Sequence, residues 1–223
     1  DIEITNPVTM TTHDLTISGA GNLTLGADIN ATTGTLTVNR EVKLQNNVTL
    51  SSKSGDIIIG ANIDADNNVF TVDGSALKLG GNITANNQNL FINANLILIG
   101  NATIDPGAGD ITLSKDVAMG DYELQFEGSG DLYLGGEVTS NDKTLAIKRS
   151  LKLTGDTLLD TGLGDIILEN VTIGNFSLSF AGDGKLYFGG DITSNDKLLD
   201  INRDLLLTKH TSLNTGSAYI AAR

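Results

Sequence analysis

Gly130–Leu153 reads GDLYLGGEVTSNDKTLAIKRSLKL, and Gly184–Leu207 reads GKLYFGGDITSNDKLLDINRDLLL. Aligned without a gap, 15 of the 24 positions are identical. Two weaker copies precede them, LTLGADIN from Leu23 and LKLGGNIT from Leu77. The four copies start at Leu23, Leu77, Leu132 and Leu186, an almost constant spacing. So regular a period over most of a chain marks a stacked array of small units rather than a globule around one central core.

Local chemistry says what is stacked. In the third copy Leu132-Tyr133-Leu134 alternates in hydropathy and is followed by two glycines, then Glu137-Val138-Thr139. The turn Ser140-Asn141-Asp142-Lys143 comes next, then Thr144-Leu145-Ala146-Ile147 and a new alternating triplet at Leu151-Lys152-Leu153. Short strands with apolar alternation, separated by Gly, Asn and Asp, suit a parallel β-helix. A β-sandwich would need longer strands and irregular loops. Dividing each period at its turns gives three coils, which in the first copy are Leu23–Arg40, Glu41–Gly60 and Ala61–Ala76. The expected fold is therefore an all-β, right-handed parallel β-helix of about twelve short coils, with a 54-residue super-repeat of three coils. Residues 1–223 form one rod, with 1–22 a partial coil and repeats starting at 23, 77, 132 and 186. No polar cap is evident at Asp1 or Arg223, and a first residue other than Met reads as a segment of a longer rod.

Composition narrows the partners. The net charge of −13 makes nucleic acid and anionic membrane poor partners. Zero cysteines exclude disulfides and thiolate chemistry, and there is no apolar run long enough for a membrane helix. No cofactor is expected.

Candidate sites can be tested against the three-coil reading. Asp56, Asp110 and Asp165 share one position in successive periods, each after a glycine. As a calcium ladder they would stand three coils apart, about 14 Å, while one ion needs its oxygens at about 2.3–2.6 Å. The neighbouring coils would offer Thr144 and Ser177 there, so turn capping is the reading. Asp64 with Asp66 could pair as glycosidase carboxylates, but the turns are short and Trp is absent. His13 and His210 fall near opposite ends of the rod and cannot share a metal. Tyr133 and Tyr187 are expected outward on one face, three coils apart. Lys43, Lys78 and Lys152 at outward strand centres read as charges that discourage edge pairing. An ice-binding row would run Thr37, Ile58, Thr71, Phe91, Thr112, Gln125, Ala146, Ile167, Ser179, and it is broken. The glycine-rich stretches Gly19-Ala20-Gly21, Gly128-Ser129-Gly130 and Gly182-Asp183-Gly184 lack the helix and Lys-Ser/Thr pair of a phosphate loop. No catalytic, cofactor or metal residue is assigned.

The units NLTLGADINATTGTLTV (22–38) and GDITLSKDVAMGDYELQFEGSGDLYLGG (109–136) resemble the stalks of secreted bacterial β-helix adhesins. These are filamentous-haemagglutinin-like exoproteins and autotransporter passenger domains. The resemblance implies export to the cell surface, a rod-shaped stalk, and roles in adhesion, biofilm or filament building. Its partners would be neighbouring repeats or further copies end to end, and a host or matrix glycan or protein. Asn6-Pro7-Val8-Thr9 does not match the NPNL- and NPNG-type motifs of that family's secretion domain, which would place this segment downstream of it. The expected function is a non-enzymatic structural and adhesive rod, with a carbohydrate-binding or polysaccharide-cleaving β-helix as the alternative.

Overall fold

The computed structural model describes residues 1–222 and places them in a parallel β-solenoid; the expected absence of a cap at Arg223 falls outside it. Every strand pairing among the described residues is parallel. Each joins a strand to its counterpart one turn further along, as Ile2 to Leu23, Val48 to Phe70, Ile111 to Leu132 and Leu186 to Leu205. One turn of the coil contributes one strand to each of three faces.

The first face is an eleven-stranded sheet running from Ile2–Ile4 through Leu23–Leu25, Leu124–Phe126 and Leu186–Phe188 to Leu205–Leu207. The second face runs from Val8–Met10 to Leu213–Asn214 and the third from Leu15–Ile17 to Ile220–Ala222. In three turns the second and third faces are joined without a break by the long strands Val48–Ile59, Phe70–Leu79 and Leu90–Leu98. Eleven rungs are separated by ten rises, a stack about 48 Å high at the spacing of paired strands. The count is slightly below the twelve coils expected. Residues 1–22, expected as a partial coil, carry a strand on each face and make a whole rung.

Alternation decides what faces inward. The short strands show a buried, half-buried, buried pattern, as in Leu23–Leu25 and Leu36–Val38. The inward residues form one continuous core from Ile17 to Ile201, with Phe70, Phe126, Phe180 and Phe188 its largest members.

The repeat period does not equal three coils. Leu23 and Leu186 lie on the first face, Leu77 on the third and Leu132 on the second. Each copy contributes eight strands, two and two-thirds turns, so successive copies shift by a third of a turn around the rod. The stretch from Leu23 to Leu186 accordingly makes eight whole turns. The unit expected as a third coil, Ala61–Ala76, holds a first-face strand and a second-face strand and reaches only the first residue of the third face. The backbone repeats with the period all the same. Residues at positive φ recur at Asp66, Gly120 and Gly174, at Asn87, Asp142 and Asp196, and at Gly107, Gly162 and Gly216. Asn and Asp tolerate that conformation best among residues with a side chain.

Candidate functional site

The corners carry most of the polar chemistry, and it is directed at the backbone. Seventeen times among the described residues, an Asp or Asn side-chain oxygen accepts a hydrogen bond from a backbone N–H one rung further on. A corner breaks the β-ladder, so its N–H groups need other acceptors. A short carboxylate or amide one rung below supplies them. Much of the acidity of the chain is thus spent on stitching rungs together.

This corrects the reading of Asp56, Asp110 and Asp165. They share a position in the period, but it falls before a third-face, a second-face and a first-face strand respectively, so they do not form a row. Thr144 does adjoin Asp165 at its corner, whereas Ser177 lies on another. Asp110 has Asn89 below and Asp131 above. Its N–H donates to Asn89 Oδ1 at 2.8 Å, and its Oδ1 accepts from the Asp131 N–H at 2.8 Å. Asp131 is in turn held by Lys152 at 2.6 Å, and Asp56 by Lys78 at 2.7 Å. Asp131 raises the Lys152 ammonium above its ordinary value, chiefly by hydrogen bonding. Asp64 Oδ1 accepts from the Asp66 N–H at 3.1 Å, a turn-capping contact.

The remaining candidates separate likewise. His13 lies in the first rung and His210 in the last, both exposed. Tyr133 stands on the second face and Tyr187 on the first, not on one row, and Lys152 lies 5.6 Å over the Tyr133 ring. The supposed ice-binding row is drawn from all three faces. The true outward row of the second face includes Thr71, Phe91, Thr112, Tyr133, Lys152, Thr172 and Thr193, broken by two aromatics and a lysine. Lys43 and Lys78 are outward on the first and third faces.

Asp196 is the corner acid whose carboxyl is held below its ordinary value of 3.8, first by the Ser217 N–H and then by the Ser217 hydroxyl. A folded-state value below the unfolded one contributes stability that is complete above the unfolded value. It is lost as pH falls below about 3.8 through the lower folded value. Asp196→Asn is therefore expected to flatten the acid limb of a plot of thermal midpoint against pH by lowering the neutral plateau slightly, leaving the values below the folded-state titration nearly unchanged.

Three arginines form the feature that sequence reading passed over. Arg40, Arg149 and Arg203 are at most 6 % exposed, and they occupy one position of the period. Each sits on a short corner two residues past the end of a strand and turns its guanidinium inward. Arg149 donates from Nε to Gly130 O at 2.8 Å, from Nη1 to Glu127 O at 2.9 Å and from Nη2 to Gly109 O at 2.5 Å. Arg203 reaches Gly184 O, Ala181 O, Gly164 O and the Thr161 hydroxyl. Arg40 reaches Gly21 O and Ala20 O. Each fork thus binds a glycine turn one rung back, respectively Gly19-Ala20-Gly21, Gly128-Ser129-Gly130 and Gly182-Asp183-Gly184. Gly19, Gly128 and Gly182 have φ of 104°, 93° and 92°, which L side chains avoid. A Cβ on Gly184 would collide with both Gly164 O and the Arg203 guanidinium. Burial pulls the Arg149 and Arg203 guanidinium values down, and surrounding aspartates, Asp110 and Asp165 foremost, partly oppose it.

In the second copy this position is Ala94, and there the turn reads Asp73-Gly74-Ser75 instead of Gly-x-Gly. Arginine and glycine turn are present together or absent together within this one chain.

These features define a class by architecture: a parallel β-solenoid whose rungs are joined by corner Asp/Asn ladders and buried arginine forks. No family model, curated protein or solved structure matches the chain.

Proposed function

We propose that the chain is a structural and adhesive rod segment of a bacterial cell-surface or secreted exoprotein, serving adhesion or filament and biofilm assembly. The observation that carries this reading is the uniform cross-section. Eleven rungs share one core, and the corner acids are engaged by backbone N–H groups rather than gathered into a cleft. Among the described residues there is no group of three or more His, Cys, Asp or Glu able to hold a metal, and no helix long and apolar enough to cross a membrane.

Neighbouring repeats or copies of the same chain are the proposed partners at the rod ends. The last first-face strand, Leu205–Leu207, pairs on one side only, and its inward Leu207 is 57 % exposed. An open strand edge over an exposed core residue is a template for a further rung. Sedimentation velocity on the isolated chain is expected to show association that grows with concentration and is suppressed by Leu207→Lys. A chain that stays monomeric at high concentration would count against assembly through this end.

A further inference from the structure

We propose that the corner between the second and third faces, at the copy lacking arginine, binds an acidic sugar residue, a uronate unit of a glycan. The starting observation is a break in the repeat. Where Arg40, Arg149 and Arg203 fill a glycine turn, Ala94 supplies no guanidinium, and the strand ladder shifts register between Asp73 and Ala76. The chain runs through the corner as the continuous strands Phe70–Leu79 and Leu90–Leu98. The corner carries a groove of about 370 Å³ lined by Ser51, Lys53, Asp73, Gly74, Asn93 and Lys115.

Its chemistry differs from that of the other corners. Asn93 donates to Asp73 Oδ1 at 2.7 Å, Ser51 donates to Asn30 at 2.8 Å and Ser114 donates to Asn93 at 3.2 Å. Hydroxyl, amide and carboxylate therefore form an outward polar row along the rod axis. Lys115 reaches back two rungs to donate to Gly74 O at 2.9 Å, which brings its ammonium to the groove. Lys78, Lys148, Lys152 and Lys209 each pair with a carboxylate. Lys53 and Lys115, like Lys43, Lys143, Lys185 and Lys197, make no ion pair among the described residues, and both border this groove beside Asp73. Two ammonium groups without a carboxylate partner, that of Lys115 hydrogen-bonded to Gly74 O, are a local site for an anion on a chain of net charge −13.

A bare inorganic anion would be repelled by Asp73 and the Gly74 carbonyl. A carboxylated sugar suits both halves of the groove. Its carboxylate meets the lysines, and its hydroxyls donate to Asp73 and bond Ser51 and Asn93. Phe91, two residues before Asn93 on the same strand and the same outward side, offers an apolar surface to the sugar ring.

This site gives a ligand class to the adhesive part of the rod reading, and its test is separate from that of end-to-end assembly. Trigalacturonate is titrated against the chain by calorimetry, with fully methyl-esterified trigalacturonate, acetate and inorganic sulfate as comparison probes. Saturable binding of trigalacturonate is expected, weakened roughly tenfold or more by methyl esterification and by the double change Lys53→Gln/Lys115→Gln. Asp73→Ala is expected to weaken trigalacturonate as well, by lost hydroxyl contacts. The lysines and Asp73 are surface groups, and circular dichroism melts that match the parent chain show that the variants are folded. Equal binding by the double variant, or no binding at millimolar trigalacturonate, would overturn the site. Sulfate or acetate binding as tightly as trigalacturonate would reduce it to an anion site and overturn the sugar assignment. Either failure leaves the rod's end-to-end assembly untouched.

Discussion

Arg149→Ala is expected to lower stability by about 3–5 kcal/mol, read as a shift of the urea midpoint. The side chain is 3 % exposed and its fork satisfies the carbonyls of Gly109, Glu127 and Gly130. Those carbonyls belong to corners, where no β-ladder partner can replace the guanidinium. Truncation leaves them in a site too enclosed for full hydration, and an unpaired buried acceptor costs about 1–3 kcal/mol. Arg149→Lys is expected to recover less than half of the loss. One ammonium cannot span three carbonyls in the geometry of a planar fork. The loss is also local: rungs contact only their neighbours, so a weakened joint lets the parts on either side unfold separately. The urea transition of Arg149→Ala is therefore expected to broaden, with a lower apparent m-value, as well as to move. A sharp two-state transition at the parent midpoint would show that the fork contributes nothing.

The arginine fork also marks the boundary of what the sequence discloses. Leu132-Tyr133-Leu134 and Leu186-Tyr187-Phe188 look like one strand seen twice, and as local structure they are. Alternation tells which side chains enter the core, and the turns Ser140-Asn141-Asp142-Lys143 and Ser194-Asn195-Asp196-Lys197 tell where the chain bends. None of this states which face a strand occupies, because all three faces are short, flat and apolar inside. A repeated unit therefore has to contain a whole number of strands, not a whole number of turns. Eight strands satisfy the chemistry as well as nine would. Assuming nine assigned a full coil to Ala61–Ala76 and put Tyr133 and Tyr187 on one row.

The fork was hidden for a different reason. An arginine between two strands is most often a surface residue, and the glycine turn that buries Arg149 lies a full turn of the coil earlier in the chain. The usable signal was inside the repeat. Gly-x-Gly and arginine disappear together in the copy that has Ala94, as expected of groups that touch. The same exception produced the groove beside Asp73, which no local pattern announces. Its residues, from Ala31 to Lys115, come from five successive rungs.

Phe126→Ala is expected to cost about 3–5 kcal/mol, at the upper end for its class. Phe126 is 1 % exposed and lies in an inward column of the first face, with Ile104 on the rung before and Ile147 on the rung after. The cost of a large-to-small change depends on how far the surroundings relax into the space. In a globular core, helices and loops can shift inward. Here the rungs above and below Phe126 are fixed by parallel hydrogen bonds at about 4.8 Å, and the same ladders hold the three faces apart. A void in such a column can be filled only by breaking strand pairing, so it stays open. Phe126→Leu keeps most of the volume and is expected to cost about 1 kcal/mol. Chemical denaturation of both variants checks the pair. Equal, small losses would mean that the column collapses freely and that the rungs are not held at fixed spacing.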